Sequence, residues 1–418
     1  MYKIAMLLFF TGYAWAQSPG PTLTTLHSGL GAPNPILVAK DGVIYGTTYD
    51  GKGYGQAYSL TPPTSPGAAW TYTVLYTFSL ADGELPTGPS AIGHDGGLYG
   101  VTHLGGGGNC PILECGVVYE LTPPSSPGES WTQTVLYAFT QNSASRPNGL
   151  VIGPAGMLYG STSYDTGTLF MLSKPSSEGE PWTYTQLYAF SGGSDGAGPG
   201  ALTVGSDGVL YGTTSSRGMK DTLCPTGCGT VFQITSPVSP GDPWTLTVLH
   251  SFTGGSGGQG YTAGPSGLTI GNNGSLYGTL TNGGNSACTA LPGGCGTVFA
   301  LDPPASPGGP WVYRTIYSFT GGSDGANPSG GLLLGEHGEL IGTASQGGAS
   351  LYGTIFSLSP PASQGGSWTE TTLYAFTGSN GSNPGSGVVF GAGGALYGVT
   401  VFDGNCTGQY CGTVFSLH

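Results

Sequence analysis

The chain has 418 residues, of which only 7% are charged, while 81 are Gly and 32 are Pro. Its formal net charge of −13 excludes nucleic acid and anionic membranes as partners, because both need a basic face. Aromatic residues make up 11% of the chain and stand in short runs between Gly, Pro and Ser turns, which excludes a disordered chain and indicates many β-strands.

Residues 1–16 are typical of a secretory signal peptide. Lys3 precedes an apolar run from Ile4 to Phe10, and Ala14-Trp15-Ala16 has the small-x-small pattern of a signal-peptidase cleavage site. The run is too short to span a bilayer, and no later segment reaches the required length. We therefore expect residues 1–16 to be removed and residues 17–418 to form one domain without a transmembrane segment. An uncleaved N-terminal anchor is the alternative.

Four short phrases recur along the rest of the chain, and each is predicted to be a β-strand. The first, called a, is a short apolar phrase such as Gly267-Leu268-Thr269-Ile270-Gly271. The second, called b, contains a Tyr-Gly pair, and a turn such as Asn273-Gly274 links a to b as a hairpin. The Tyr positions of phrase b are Tyr45, Tyr99, Tyr159, Tyr211, Tyr277 and Tyr397, with Ile341 in the remaining copy.

The third phrase, c, is Gly-Thr-Val-Phe or a close variant, and the fourth, d, opens with Trp. Phrase c is clearest at 229–232, 296–299, 353–356 and 412–415. In the copy of d from Trp70 to Phe78, large residues alternate with Thr. This period of two indicates a strand with one buried face. The other copies of d open at Trp131, Trp182, Trp244, Trp311 and Trp368.

The succession a, b, c, d occurs seven times and predicts the fold class. Four consecutive antiparallel strands per unit describe the blade of a propeller, so the chain is predicted to be an all-β, seven-bladed β-propeller. A β-solenoid needs much shorter coils, and a sandwich does not repeat seven times. The last copy stops at phrase c, next to His418, but residues 22–28 match the d phrase at 245–251 nearly residue for residue. The N-terminal strand is therefore predicted to complete the last blade and close the ring.

All eight cysteines lie between phrases b and c, as four close pairs. The pairs are Cys110 with Cys115, Cys224 with Cys228, Cys288 with Cys295, and Cys406 with Cys411. An even number of cysteines in an exported chain predicts disulfides, here four bridges that each close a small loop. Metal binding is the alternative, but the pairs fall in separate blades and no His accompanies them at ligand spacing. We therefore predict no metal and no cofactor.

The two faces of the predicted ring differ in composition. The b–c and d–a loops emerge on one face, which we call the cystine face because it carries the cysteines. The a–b and c–d loops emerge on the other, which we call the connector face because its Pro-rich loops, such as 303–308, are nearly uniform. Loop length varies mainly on the cystine face. Variable loops on a rigid scaffold usually carry binding residues, so we expect a ligand there.

Polar residues that break the repeat are the candidates for chemistry. His103 ends phrase b of blade two, where three other blades have Ser163, Ser215 and Ser345. With loop residues of blades three and four it makes a possible ligand face, whose members are His103, Arg146, Tyr164, Asp165, Arg217 and Lys220. Unrelated surface residues on variable loops are the alternative interpretation. No catalytic residue is assigned.

Other notable residues are predicted to be scaffold. The Tyr ring of phrase b recurs in nearly every blade and is expected to pack between blades. His27 and His250 replace a Tyr of phrase d, so we expect them to pack as that Tyr does. Asp82, Asp195 and Asp324 precede Gly in d–a loops, where Asp usually caps the backbone of a turn. Calcium binding by these aspartates is the alternative.

The phrases Gly-x-Leu-Tyr-Gly-Thr-Thr, Gly-Thr-Val-Phe and Thr-Val-Leu-Tyr-x-Phe resemble the bacterial GloVer tandem repeat over residues 22–417. The resemblance implies an exported repeat scaffold. Proteins of that family are described as choice-of-anchor proteins, because surface-sorting signals commonly follow the repeats. It implies no settled activity and assigns no catalytic residue. No sorting motif or C-terminal apolar helix precedes His418, so a released or periplasmic protein is expected instead of an anchored one.

Two functions fit the sequence. The first is an exported, non-catalytic scaffold that binds a glycan or another cell-surface component through the cystine face, as a monomer. The second is an extracellular polysaccharide lyase with its site on the same face in blades two to four. In that enzyme an Arg neutralises a uronate carboxylate while a His or Tyr moves protons. The scarcity of charge, and the lack of a carboxylate pair that breaks the repeat, favour the non-catalytic scaffold.

The predicted disulfides set the mass change on reduction. Reducing the exported chain is expected to add about 8 Da, two hydrogens for each of four bridges. Intact mass spectrometry with and without reductant measures this gain. The matched control, Cys224→Ser with Cys228→Ser, is expected to gain about 6 Da. An unchanged mass for the native chain contradicts the assignment.

Overall fold

The computed structural model describes residues 21–49, 53–65, 67–107, 115–126, 128–140, 145–177, 179–220, 224, 227–239, 241–253, 267–284, 288, 293–306, 308–363, 365–403 and 411–418. Within them the chain forms seven antiparallel sheets. The predicted all-β, seven-bladed propeller is therefore confirmed. The predicted signal peptide, residues 1–16, lies outside the described residues. The described residues contain no helix that could cross a lipid bilayer.

Each blade contains strands a to d, which follow one another along the chain in blades one to six, and strand a is split in blades one and four. The strands of blade one are Ala32–Pro33 with Leu37–Val38, Ile44–Tyr49, Gln56–Thr61 and Thr71–Thr77; those of blade two are Glu84–Ile92, Leu98–Leu104, Val117–Thr122 and Thr132–Ala138; those of blade three are Pro147–Ile152, Leu158–Thr162, Thr168–Ser173 and Thr183–Ala189; and those of blade four are Ala197–Pro199 with Thr203–Val204, Leu210–Ser216, Thr230–Thr235 and Thr245–Ser251.

Blades five to seven follow the same plan. The strands of blade five are Thr269–Ile270, Leu276–Leu280, Thr297–Asp302 and Val312–Ser318; those of blade six are Ala326–Leu334, Leu340–Gln346, Thr354–Ser359 and Thr369–Ala375; and those of blade seven are Val388–Phe390, Leu396–Thr400, Gly412–Leu417 and Leu23–Leu30. The helical content of the described residues is two 3-10 turns, Pro154–Gly156 and Ala392–Gly394.

The N-terminal strand closes the ring as predicted. Leu23–Leu30 pairs antiparallel with Gly412–Leu417, and the register begins at Leu23 opposite Leu417. Thr22 and His418 extend the ladder: each backbone N–H donates to the other's carbonyl, at 2.9 and 3.1 Å. The last blade therefore has four strands although the chain supplies only three at its C-terminus.

The Tyr-Gly phrase has a steric cause. Gly212 of strand b lies directly opposite Phe232 of strand c, and a Cβ at Gly212 would lie 2.5 Å from the ring carbon Cζ of Phe232. The same clash would arise at Gly160, 2.4 Å from Phe170, and at Gly278, 2.6 Å from Phe299. The ring of strand c thus covers the glycine backbone of strand b, which is why the two phrases always occur together.

The Tyr of strand b packs between blades, as predicted. Tyr45 meets Trp131 of blade two edge-on, with ring centroids 6.0 Å apart. The same pairing joins Tyr99 to Trp182, Tyr159 to Trp244, Tyr211 to Trp311, Tyr277 to Trp368 and Tyr397 to Trp70. This ring of tyrosines is therefore part of the scaffold.

The predicted packing role of His27 and His250 is also confirmed. His27 stacks on Tyr72 of the next blade, with ring centroids 4.5 Å apart, and His250 stacks on Tyr313 at 4.4 Å. Tyr137 stacks on Tyr184 at 4.5 Å in the same way. Histidine therefore substitutes for tyrosine in an aromatic stack.

The aspartates of the d–a loops cap backbone turns. Asp195 accepts hydrogen bonds from the backbone N–H groups of Ser191 and Gly193, at 2.7 and 3.1 Å, and from the Tyr188 hydroxyl at 3.1 Å. Asp324 does the same for Thr320 and Tyr317. Both carboxylates are buried, and their oxygens are used by the loop itself. The turn-capping interpretation is therefore confirmed.

Shortening the N-terminus should destabilise the ring as a unit. A chain that begins at Gly29 lacks most of strand d of blade seven, including Leu23 and Leu26, which pack against neighbouring cores. We expect a loss of roughly 1.5–3 kcal/mol, because each of these two partly buried leucines contributes about half of the 1.5–3 kcal/mol of a fully buried one, measured by thermal and urea unfolding. The control is a chain that begins at Pro21, and a synthetic peptide of residues 21–30 should restore stability. Equal midpoints for the two chains contradict ring closure.

Asp195→Asn should destabilise the folded state by about 1–3 kcal/mol, because an amide cannot accept all the hydrogen bonds that the carboxylate accepts. Burial opposes ionisation of Asp195, but hydrogen bonds from Ser191 and Tyr188 outweigh it and hold its pKa below the ordinary value. Its contribution should therefore be complete above the unfolded pKa of about 3.9 and lost as pH falls through the folded pKa. Urea unfolding between pH 3 and pH 7 measures this.

The matched control is Asp207→Asn, because exposed Asp207 accepts one backbone hydrogen bond, from Val209 at 3.1 Å. We expect its effect to stay within about 0.5 kcal/mol. Equal destabilisation by the two variants contradicts the role given to Asp195.

Candidate binding site at the mouth of the central channel

Strand a lies at the inner edge of each blade and places its first residues at the cystine face. A proline near its start packs against the glycine that opens strand c of the preceding blade. A Cβ at Gly167 would lie 2.3 Å from Cδ of Pro199, and a Cβ at Gly412 would lie 2.3 Å from Cδ of Pro33. This contact holds the next residue of strand a at the central channel, as with Asn34 and Asn148.

A cavity of 640 Å³ occupies the mouth of the channel on the cystine face. Its lining comes from all seven blades and is made of small and polar residues. The lining residues are Asn34, Pro35, Thr87, His103, Asn148, Ser163, Gly198, Pro199, Gly200, Ala201, Thr213, Ser215, Gly267, Ser329, Gly330, Gly331, Gly385 and Ser386. Of these, His103 is the ionisable one. The volume falls within the range of small-molecule sites.

His103 is largely removed from solvent at the end of strand b of blade two. Burial lowers its pKa below the ordinary value, and the positive charge of Arg146 lowers it further, while a hydrogen bond with Asn148 opposes the shift. The imidazole is therefore neutral at pH 7, with one nitrogen as donor and the other as acceptor. The cavity thus carries no formal charge on its lining.

Asn148 ties three blades together beside His103. Its Nδ2 donates to the carbonyl of Pro199 in blade four, at 2.7 Å, and its side chain also bonds His103 of blade two. Asn34 uses the same repeat position, since its Nδ2 donates to the carbonyl of Pro86 at 2.7 Å. These amides are held in place before any ligand arrives.

Ser329 offers an unused hydrogen-bonding group. It lines the cavity from blade six, and its hydroxyl is buried and bonds to none of the described groups. A buried polar group without a partner costs free energy that a bound ligand can recover. The cavity therefore offers a free hydroxyl opposite a neutral imidazole.

Arg146 lies next to His103 in an unusual backbone conformation. Its φ is 60°, the left-handed region that favours Gly and Asn. Its N–H donates to the carbonyl of Cys115 at 3.1 Å, and its carbonyl accepts from the N–H of Ser163 at 3.0 Å. The same repeat position holds Asn327 and Asn383, also at positive φ. The backbone conformation of Arg146 is therefore common to the repeat, whereas its charged side chain is specific to blade three.

The remaining candidates lie on the loops around this mouth. Tyr164 is 38% exposed, and its N–H donates to Ser145, the neighbour of Arg146, at 3.2 Å. Asp165, Arg217 and Lys220 are exposed, and none of them lines the cavity. Of the six predicted residues, only His103 lines the cavity. Arg146 is near enough to His103 to lower its pKa, while Tyr164, Asp165, Arg217 and Lys220 lie exposed on the surrounding loops.

Sequence reasoning missed the cavity lining from strand a, above all Asn148 and Ser329. Both follow a proline, and such Pro-Asn-Gly and Pro-Ser-Gly triplets are typical of turns. The repeated proline just before each a phrase could have revealed them, because the innermost strand of a propeller faces the channel.

The cysteines of the cystine face form disulfides. Cys224 is bonded to Cys228, and Cys288 to Cys295. Cys115 and Cys411 are also disulfide-bonded, while their predicted partners, Cys110 and Cys406, lie outside the described residues. No group of three or more His, Cys, Asp and Glu side chains among the described residues is placed to hold a metal ion.

Large apolar side chains are exposed around the same face. Seven of them lie on its b–c and d–a loops: Tyr54, Leu80, Tyr164, Met219, Leu351, Tyr352 and Phe402. The connector face exposes Val238 and Phe390, and the outer strands expose three valines. Exposed aromatic side chains gathered on one face indicate a contact surface.

Comparison with solved structures supports the fold. A catalytically inactive virginiamycin B lyase from Staphylococcus aureus, solved with quinupristin, superposes with a TM-score of 0.54 at 14% identity, over 95% of this chain and 99% of that one. PorZ, a surface component of the type-IX secretion system of Porphyromonas gingivalis, superposes with a TM-score of 0.51 at 12% identity, over 90% of this chain and 46% of that one. At such identities the likeness extends to the fold alone.

No curated protein matches the sequence. The family model of the Gloeobacter/Verrucomicrobia repeat matches residues 17–223, 112–309 and 224–418, in three overlapping segments that span the propeller. The resemblance to the GloVer repeat is thereby confirmed, and the chain belongs to the Gloeobacter/Verrucomicrobia repeat family.

Proposed function

We propose that this protein is an exported, non-catalytic scaffold that binds a neutral glycan at the channel mouth of the cystine face. The observation that carries the proposal is the 640 Å³ cavity, whose uncharged lining combines the apolar surface of small residues with polar groups such as those of Asn34, His103 and Asn148. A sugar offers hydroxyl groups that both donate and accept, and the lining supplies amide, hydroxyl, imidazole and backbone groups of both kinds.

The electrostatics support an uncharged ligand. Neutral His103 contributes no charge to the cavity, and the chain carries a net charge of −13. An anionic ligand would meet long-range repulsion, and a cation would find no carboxylate on the lining. A neutral saccharide avoids both penalties.

The exposed aromatic residues support a ligand larger than the cavity. Tyr54, Tyr164, Tyr352 and Phe402 lie on b–c loops of the cystine face and are each 38–45% exposed. Rigid aromatic side chains give contact area at low entropic cost. One end of an oligosaccharide would enter the channel while its following units lie across these loops. A cell-surface polysaccharide offers such an end.

Export is part of the proposal. Disulfides form and persist outside the cytosol, and the described cysteines are all disulfide-bonded. Together with the predicted signal peptide at 1–16, they support a secreted or periplasmic protein.

A second candidate, a polysaccharide lyase, is favoured by the positive charge of Arg146 near His103. Neutral His103 would take the proton from the carbon next to a uronate carboxylate, and Arg146 would neutralise that carboxylate. The electron pair left on carbon would form a double bond and expel the glycosidic oxygen, which takes a proton from Tyr164 or water. This reaction requires an anionic substrate, which the net charge of the chain disfavours.

The test is a glycan array of neutral and uronate-containing oligosaccharides, followed by calorimetric titration with each that binds. His103→Ser, which installs the residue of blades three and four, should weaken binding by about tenfold, the equivalent of one good hydrogen bond. His337→Ser is the matched control, because His337 is an exposed histidine on the connector face.

Product analysis of the same mixtures separates the two candidates. An intact glycan after long incubation supports the scaffold, and unsaturated fragments that disappear in His103→Ser establish the lyase. Equal affinity of His103→Ser and His337→Ser would overturn the channel site.

A further inference from the structure

Blade five breaks the repeat at three positions that meet in space. Ser275 of the a–b turn stands where blades one and four have Val43 and Val209. Asp302 and Arg314 replace the threonines found at these positions in blades one, two and four, which are Thr61 with Thr73, Thr122 with Thr134, and Thr235 with Thr247. One of the three substitutions lies in the a–b turn, one in phrase c and one in phrase d.

The three side chains form one hydrogen-bonded network. Nε of Arg314 donates to Oδ2 of Asp302 at 2.6 Å, and Nη2 donates to Oδ1 at 3.0 Å. The Ser275 hydroxyl donates to the same Oδ1 at 2.7 Å. This bidentate geometry fixes both planar groups, and the hydrogen bond from Arg314 holds the pKa of Asp302 below its ordinary value. Arg314 remains 49% exposed.

The network lies in a groove of 760 Å³ between blades five and six on the connector face. Tyr277 and Trp368 line the groove as an edge-on pair 5.9 Å apart, and Pro303 and Pro360 lie along it. The aromatic pair recurs at other blade interfaces, as in Tyr45 with Trp131. The pair Asp302 and Arg314, by contrast, is specific to this groove, since blades one, two and four have threonines at these positions.

We infer that this groove is a second binding site, which takes one ring of a neutral oligosaccharide. The partly exposed Trp368 ring, backed by buried Tyr277, suits the apolar C–H face of a sugar, and the fixed pair suits its adjacent hydroxyls. Two N–H groups of Arg314 bond Asp302, which leaves others to donate, and each carboxylate oxygen can accept more than one hydrogen bond. One hydroxyl can therefore donate to Asp302 while its neighbour accepts from Arg314.

The charges of the groove select against ions. Asp302 and Arg314 cancel each other, so an anion drawn to Arg314 meets the carboxylate beside it, and a cation meets the guanidinium. The groove opens on the face opposite the channel mouth, so the two sites do not share residues. A protein with both sites could bridge two glycan chains.

The test is a titration followed by NMR of the tryptophan indole N–H groups, with Trp368→Phe used to assign the Trp368 signal. The probes are cellohexaose, maltohexaose, laminarihexaose and xylohexaose, with trigalacturonate as the anionic comparison. At least one neutral hexasaccharide should shift the Trp368 signal. Asp302→Thr with Arg314→Thr, which restores the residues of blades one, two and four, should weaken that binding by about tenfold or more.

Two further variants keep the outcome decisive. His103→Ser should leave the affinity measured at Trp368 unchanged, so failure of the channel site and failure of the groove are distinguishable. If the double variant unfolds, Arg314→Thr alone should still weaken binding, because it removes the N–H groups that donate to the sugar and that fix Asp302. An unmoved Trp368 signal with every neutral probe, a response to trigalacturonate alone, or full affinity in the double variant would each overturn the inference.

Discussion

Each blade buries its aromatic side chains against the next blade more than within its own sheet. The seven core clusters each combine residues of two neighbouring blades. Phe190 at the end of one blade meets Phe232 of the next at 5.3 Å, and Trp244 reaches back to Tyr159 at 6.2 Å. Stability in such an array is approximately a sum of blade terms and interface terms between neighbours. Closing the ring adds the last interface between blades and covers the exposed end of the array. The N-terminal strand therefore stabilises the whole ring and not only the blade that it completes.

The interface between blades six and seven shows that the Tyr–Trp contact acts as a unit. Strand d of blade seven comes from the N-terminus, and Pro21 stands where other blades have Trp. In blade six the facing position is Ile341 instead of Tyr, and it is buried with Leu417 and Leu23. A tyrosine at 341 would lack the indole that covers it elsewhere. The Tyr and the Trp of this contact are therefore both replaced at the same interface. Aliphatic side chains pack there instead, where the N-terminal strand joins blade seven.

Strand order, blade number and closure could be predicted because the same four phrases recur and each obeys a two-residue period. The site could be predicted only in part. Arg217 and Lys220 were grouped with His103 because they share a face, but loops on one face of a ring point away from its axis, and only the strand ends converge on the channel. Asn148 and Ser329 looked like turn residues, because the contact that makes them line the channel joins a proline to a glycine of another blade. Asp302 and Arg314 fall in separate phrases, and their meeting depends on the pairing of strands c and d.

The strained backbone of Arg146 does not by itself indicate a function, and Leu85 shows why. Leu85 occupies the same repeat position in blade two with a φ of 56°, close to the 60° of Arg146, although its side chain offers no polar chemistry. The conformation follows from seating the next proline on a glycine of the preceding blade, and Asn or Gly adopts it elsewhere at lower cost. Function must instead be sought where a side chain differs from its repeat equivalents and faces a cavity. His103 meets that condition in blade two, and Arg314 meets it in blade five. Because each blade packs only on its neighbours, such changes can accumulate in separate blades, and on opposite faces, without disturbing the ring.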